Sequence, residues 1–177
     1  MSLISEKIPV GGIKLSNELV QVVFLNRSFS ENFRPLFVQV LAKHQVNIPF
    51  LSVSCVREQT WGSCCVAAED IFQVKKLVAR DSELKGNVEF ISDVGALSIF
   101  PHRSTLKLLG LILYAVGNAR LPIYGMASSI SALTFITGYS CLDKAVETLL
   151  TFLELPERHA PLKPEIRIIQ QKRGSSG

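Results

Sequence analysis

One order of strands and helices runs through this chain twice, with a period of about 75 residues, and that repeat constrains the fold more than any other feature. In the first pass, residues 19–25 (Leu-Val-Gln-Val-Val-Phe-Leu) form an apolar, β-branched run of strand length. A polar break follows at 26–32. Phe33, Leu36, Phe37, Val40 and Leu41 then recur at helical spacing. Pro35 fits such a helix only in its first turn, which sets the N-cap near Asn32. Pro49 stops the helix, residues 50–56 read as a second strand, 57–62 as a turn and 63–68 as a third strand. Asp70 and Gln73 make a capping-box-like start to a helix that turns Ile71, Val74, Leu77 and Val78 inward. Gly86 breaks that pattern, and 87–92 is a fourth strand.

The second pass begins with a strand at 96–100 and a turn, Pro101-His102-Arg103-Ser104. An apolar helix at 106–116 follows, ended by Gly117-Asn118. Residues 121–128 and 130–138 form a hairpin. Ser140 and Asp143 cap a helix with Leu142, Ala145, Val146, Leu149, Leu150 and Leu153 inward, closed by Pro156. Two details match between the passes: Asn26-Arg27-Ser28 with His102-Arg103-Ser104, and Ile48-Pro49-Phe50 with Leu121-Pro122-Ile123. The order β-α-β-β-α-β is the split-βαβ, ferredoxin-like arrangement. The expected fold is therefore α+β: two such units packed together, with antiparallel sheets and helices on one face. The units are expected at 19–94 and 95–155, after an N-terminal segment at 1–18 and before a tail at 156–177. The second unit shows no fourth strand directly after its last helix. The β-branched stretch 164–170 supplies a late edge strand, or it belongs to a solvated tail.

Composition excludes several classes. Of 177 residues, 47% are hydrophobic and 19% charged, so the chain has the material for a core and disorder is not its main state. The longest stretch without a charge, 121–142, is broken by Pro122, Gly125 and Gly138, unlike a helix in lipid. No basic, then apolar, leader opens the chain. These features lead to the expectation of a cytoplasmic protein with no membrane partner. The net charge is +4, and most of it lies in the tail, where five basic residues face Glu157 and Glu165. The body lacks the basic face that nucleic acid requires, and its third strand lacks the aromatic signature of RNA-recognition modules.

The catalytic motifs that hold phosphate, mount a nucleophile or pair metal ligands are missing from the sequence. The cysteines at 55, 64, 65 and 141 form no C-x-x-C pair, and the three histidines do not share metal spacing with them. Cys55 and the Cys64–Cys65 pair are placed to face one another across a hairpin, as core or in a thiol or metal role. Core packing is the simpler account. Glu69–Asp70 sits at a helix start, where acidic residues favour the dipole. No enzyme activity, cofactor or metal is expected.

Three stretches within the duplicated order carry a resemblance. Residues 41–48 (Leu-Ala-Lys-His-Gln-Val-Asn-Ile), 128–136 (Ser-Ser-Ile-Ser-Ala-Leu-Thr-Phe-Ile) and 142–150 (Leu-Asp-Lys-Ala-Val-Glu-Thr-Leu-Leu) are similar, in order and spacing, to segments of the tandem ACT domains at the C-terminus of aspartate kinases. The resemblance spans residues 19–155. It implies modules that bind a small effector, usually an amino acid, at the loop between strand one and helix one, and that pair side by side in dimers. Helix N-termini suit a carboxylate through unpaired N–H groups and partial positive charge. Matching positions are Asn26, Arg27, Ser28, Ser30 and Asn32 in the first copy and His102, Arg103, Ser104 and Thr105 in the second. Asn47, Ile48 and Pro49, with Leu121, Pro122 and Ile123, are the strand-two contributors. Arg27 and Arg103 have the chemistry to clamp a carboxylate.

Where the family carries an Asp-x-Pro-Gly turn, this chain carries Arg-Ser turns. Fewer than 20 residues precede the first strand, so a free-standing regulatory protein, or a fragment of a larger one, is expected instead of a kinase. Helix 106–116 is apolar almost all round, with Gly110 and Gly117 on one face, and such a helix calls for burial against the other copy or another chain. A homodimer is expected, with a regulated enzyme as a further partner. Two functions fit. One is a regulatory or sensor protein that binds an amino-acid-type effector at ACT–ACT interfaces. The other is an assembly module that kept the fold without a ligand site.

Overall fold

The computed structural model describes residues 7–24, 33–56, 59–82, 84–100 and 106–156. In chain order the elements are β1 (Ile8–Pro9), β2 (Gly12–Leu15), β3 (Leu19–Phe24), α1 (Phe33–Lys43), β4 (Phe50–Val56), β5 (Gln59–Ala67), α2 (Ile71–Arg80), β6 (Val88–Phe100), α3 (Leu106–Asn118), β7 (Gly125–Ser128), β8 (Leu133–Gly138), α4 (Leu142–Leu150) and β9 (Leu153–Glu154). The fold is α+β and ferredoxin-like, and its main sheet is antiparallel, as expected. Strands β4, β5, β3, β6, β8 and β7 lie side by side in that order.

The fourth strand of the first pass and the first strand of the second are one strand. β6 runs unbroken for 13 residues, where the sequence suggested two strands with a break at 93–95. Its first part pairs with β3 (Phe24↔Val88) and its second with β8 (Ile99↔Leu133). The junction is a β-bulge. Between the pairs Leu19↔Val94 and Gln21↔Ile91, Val20 stands opposite both Ser92 and Asp93, and Asp93 adopts φ 58°. A bulge bends and twists its strand without ending the ladder, which is why a segment with no turn residues still changes course there.

The second half takes its fourth strand from the N-terminus. β2 pairs antiparallel with the end of β6, from Gly12↔Phe100 to Leu15↔Leu97. Ser16 ties the join: its N–H donates to the Ala96 carbonyl at 2.9 Å, and its Oγ accepts from the Ala96 N–H at 2.8 Å. Val10, Ile13 and Leu15 are buried there. Residues 8–15, which the pattern left outside both units, thus carry structural weight in the second half. β1 in turn pairs parallel with β9 (Ile8↔Leu153). The candidate strand at 164–170 lies outside the described residues.

Alternation divides the core into three. Val20, Val22, Phe24, Cys64 and Val66 face α1 and α2 in the first half, where Phe37 meets Phe24 edge-on with ring centroids 5.3 Å apart. Leu97, Ile99, Leu133 and Phe135 face α3 and α4 in the second half. The third cluster, Leu19, Phe50, Cys65, Val94, Ala96 and Ile136, joins the helix-free faces of both halves. β4 and β7 stand at opposite ends of the strand order, yet they touch, because the sheet folds over at the bulge. This seam is the surface on which the two halves meet.

The N-cap of α2 is Asp70, as expected, but its side chain makes no cap hydrogen bond; the N-cap of α4 is Cys141, one residue after Ser140. α2 and α4 are each entered through a 3₁₀ turn, Ala68–Asp70 and Tyr139–Cys141, with no side-chain cap hydrogen bond. The 3₁₀ turn brings the chain into helical geometry before the helix proper starts. Gln73 instead donates from Nε2 to the His44 carbonyl at the end of α1, at 3.3 Å. β5 begins at Gln59, earlier than expected, because the ladder with β4 continues to Val56↔Gln59.

Candidate functional site at the approaches to the second strands

The residues proposed at the two helix N-termini fall in the segments just before α1 and α3. Asn26, Arg27, Ser28, Ser30 and Asn32, and His102, Arg103, Ser104 and Thr105, lie outside the described residues. The strand-two contributors are described. In the first copy, α1 closes with Gln45 at φ 57°, and the Val46 N–H returns to the Leu41 carbonyl at 3.0 Å. In the second, α3 closes with Arg120 at φ 53°, and the Leu121 N–H returns to the Val116 carbonyl at 3.0 Å. Both are helix C-caps with a left-handed residue in the place glycine usually takes.

These caps correct the match between the copies. Val46, not Ile48, is the counterpart of Leu121, and both are buried. Ile48 therefore corresponds to Ile123, and Phe50 to Gly125 as the first residue of its strand. The shared proline misled the comparison, since Pro49 and Pro122 occupy different steps of the same approach. Asn47 and Pro122 are exposed, Ile48 is half-buried and Ile123 is 39% exposed. An accessible four-residue approach thus leads from each helix cap to the sheet.

The seam brings the two approaches together. Gln21, on the middle of β3, is buried to 1% exposure with its side chain among the seam residues. Its Nε2 donates to Ser63 Oγ of β5 at 2.9 Å and to the Tyr124 carbonyl of the second copy at 3.1 Å. Gly125 packs so closely here that a Cβ on it would lie 3.3 Å from the Phe50 ring and 3.4 Å from Gln21 Nε2. The Gln21 Oε1 atom has no hydrogen-bond partner among the described residues. Gln21 and Tyr124 were not among the sequence candidates. The available signal was a single amide in the run Leu-Val-Gln-Val-Val-Phe, which alternation alone assigns to a solvent face.

The cysteine pair lies inside the core. Cys64 and Cys65 point to opposite sides of β5, and both are fully buried. Burial pushes both thiols up to about 12, with the neighbouring Cys65 adding to the effect at Cys64. Cys55 does not stand opposite this pair, since its partner across the hairpin is Thr60. Burial, and then Glu69, hold the Asp70 carboxyl above its ordinary value. Among the described residues no cluster of His, Cys, Asp or Glu could hold a metal, and no helix is long and apolar enough to cross a membrane.

The apolar helix α3 buries Leu108, Ile112, Ala115 and Val116, while Leu106, Leu113 and Tyr114 stay exposed. A Cβ on Gly110 or Gly117 would meet nothing within 4 Å. Val38 on α1 and Leu51 and Val53 on β4 are exposed as well.

No protein-family model matches the sequence, and a search of curated proteins finds no match. Solved structures do match the fold. The regulatory subunit of aspartate kinase from Thermus thermophilus, in its ligand-free form, aligns over 82% of this chain and 99% of its own length at 15% identity, with a TM-score of 0.72. A C-terminal regulatory domain of aspartate kinase from Porphyromonas gingivalis aligns over 80% and 96% at 12% identity, with a TM-score of 0.63. Escherichia coli aspartokinase III, in complex with lysine and aspartate in the T-state, matches over 85% of this chain and 35% of its own, at 14% identity and a TM-score of 0.62. The chain has the tandem ferredoxin-like fold of the ACT regulatory regions of aspartate kinases.

Proposed function

We propose that this protein is a non-catalytic regulatory module that binds a small amino-acid-type effector at interfaces between ACT-like units. The observation that carries the reading is the pair of equivalent, accessible approaches from helix cap to second strand, joined at one seam. Each approach starts at a helix C-terminus, where carbonyl ends and partial negative charge suit an ammonium group. The fold likeness to aspartate kinase regulatory subunits, and the lysine and aspartate in the aspartokinase III complex, support an amino acid as the ligand class. Arg27 and Arg103 are the proposed carboxylate clamps.

The module works in this reading as a cytoplasmic homodimer acting on a partner enzyme. β4 is a sheet-edge strand, and its exposed Leu51 and Val53, with exposed Val38 on α1, supply apolar surface for a second copy. Effector binding at such an interface favours one arrangement of the units over another, by population shift.

A thermal-shift screen against the twenty amino acids tests the reading. At free ligand about 100 times the dissociation constant, stabilisation is about 2.7 kcal/mol, or a rise of about 5–10 °C for a chain of this size. Arg27→Ala and Arg103→Ala should each weaken the response to the active amino acid. A screen in which no amino acid raises the melting temperature refutes the effector reading. The assembly module then stands, a reading that the Arg-Ser turns in place of Asp-x-Pro-Gly already favour. Light scattering that gives a monomer at micromolar concentration refutes the dimer.

A further inference from the structure

We infer that Gln21 is the positioning residue that joins the two candidate effector approaches, so that a change at one is transmitted to the other; this rests on the effector reading above. A glutamine in the middle of an apolar seam is costly when one of its polar atoms goes unpaired, as Oε1 does. An apolar side chain would fill the same space without that cost. What an apolar side chain cannot supply is the forked donor: Nε2 holds Ser63 of the first half and the Tyr124 carbonyl of the second at once.

The contact sits where leverage is greatest. Tyr124 directly follows Ile123 of the second approach, and its own N–H is held by the Ile136 carbonyl at 2.8 Å. Phe50 directly follows Pro49 of the first approach, and its ring abuts Gly125. The ends of both approaches therefore meet within one residue of Gln21. A shift of Ile123 on ligand binding moves the Tyr124 carbonyl, and the amide carries that movement into β3 and β5.

Amide hydrogen exchange on the full chain tests this without any ligand. Gln21→Met keeps the volume and removes both hydrogen bonds. The Tyr124 amide should then exchange about five- to tenfold faster, the effect of losing one hydrogen bond. Val78 in α2 and Leu149 in α4 should keep their wild-type rates. Ser63→Ala, which spares the bond to Tyr124, should leave the Tyr124 rate unchanged. Gly125→Ala approaches the same contact from the other side, by crowding Phe50 and Nε2, and should also speed Tyr124.

Exchange at Tyr124 within twofold of wild type in both Gln21→Met and Gly125→Ala overturns the proposal. So does an equal acceleration in the two helices, or failure of both variants to fold, because Gln21 is then a general core residue. Where the screen gives an active amino acid, Gln21→Met should abolish cooperativity between the sites while each site's affinity stays within threefold. Retained cooperativity overturns the coupling. A screen with no active amino acid overturns the effector reading alone, and the exchange data still decide the joint.

Discussion

Ile13→Ala gives the sharpest test of the strand that the N-terminus contributes. Ile13 is 1% exposed on β2, opposite Ile99 of β6, and packs in the second-half core. The substitution removes three carbons, worth about 2.4 kcal/mol in lost transfer energy at roughly 0.8 kcal/mol each. The cavity left behind adds to this, because its wall on the β6 side is a paired strand that cannot collapse, so a loss of about 3–4 kcal/mol is expected. For a chain of this size that is a fall of about 6–16 °C in melting temperature, read by circular dichroism alongside a urea titration. Lys14→Ala is the internal control: the neighbouring side chain is exposed on the same strand, and its loss should change stability by less than about 0.5 kcal/mol. If residues 1–18 were a loose leader, both variants would behave like Lys14→Ala. A fall of under 1 kcal/mol for Ile13→Ala refutes the seating of β2.

The helix caps should improve when their left-handed residues become glycine. Gln45→Gly (φ 57°) and Arg120→Gly (φ 53°) should each add about 0.5–1 kcal/mol, seen as a higher melting temperature. Gly95→Ala should do the opposite, because its Cβ would lie 2.7 Å from Leu142 Cδ1; a loss of about 1–3 kcal/mol is expected, recovered in part by adding Leu142→Val. Cys64 and Cys65 should resist alkylation in the folded protein at pH 8 and react once it is unfolded in urea. Their folded values lie near 12, above the ordinary value of 9.0, so their stabilising effect is complete below pH 9. From about pH 9 to 12 the unfolded chain loses thiol protons that the folded chain keeps, and stability should fall by up to about 1.4 kcal/mol per unit for each thiol. Denaturation midpoints that do not move between pH 8 and 10.5 would contradict that environment.

Local chemistry made most of the architecture legible. The period-2 run at β3, the helical spacing of Phe33–Lys43 and Leu142–Leu150, and the order of elements all reflect one residue meeting its near neighbours, and each copy of the pattern repeats it. The candidate loops were legible only as helix starts with suitable side chains. What the pattern could not reach were contacts across long stretches of chain. β2 is too short to announce itself, and it is a strand because Leu97–Phe100, more than 80 residues away, offers an unpaired edge. β6 is one strand because the bulge at Ser92–Asp93 bends the ladder without interrupting it. Gln21 alternates like a solvent-facing residue and becomes buried because the sheet folds over and brings Tyr124 onto it. Alternation and helical periodicity record which side of an element is apolar. The partner that covers each side is set by long-range packing, and that packing holds the two approaches to the second strands together.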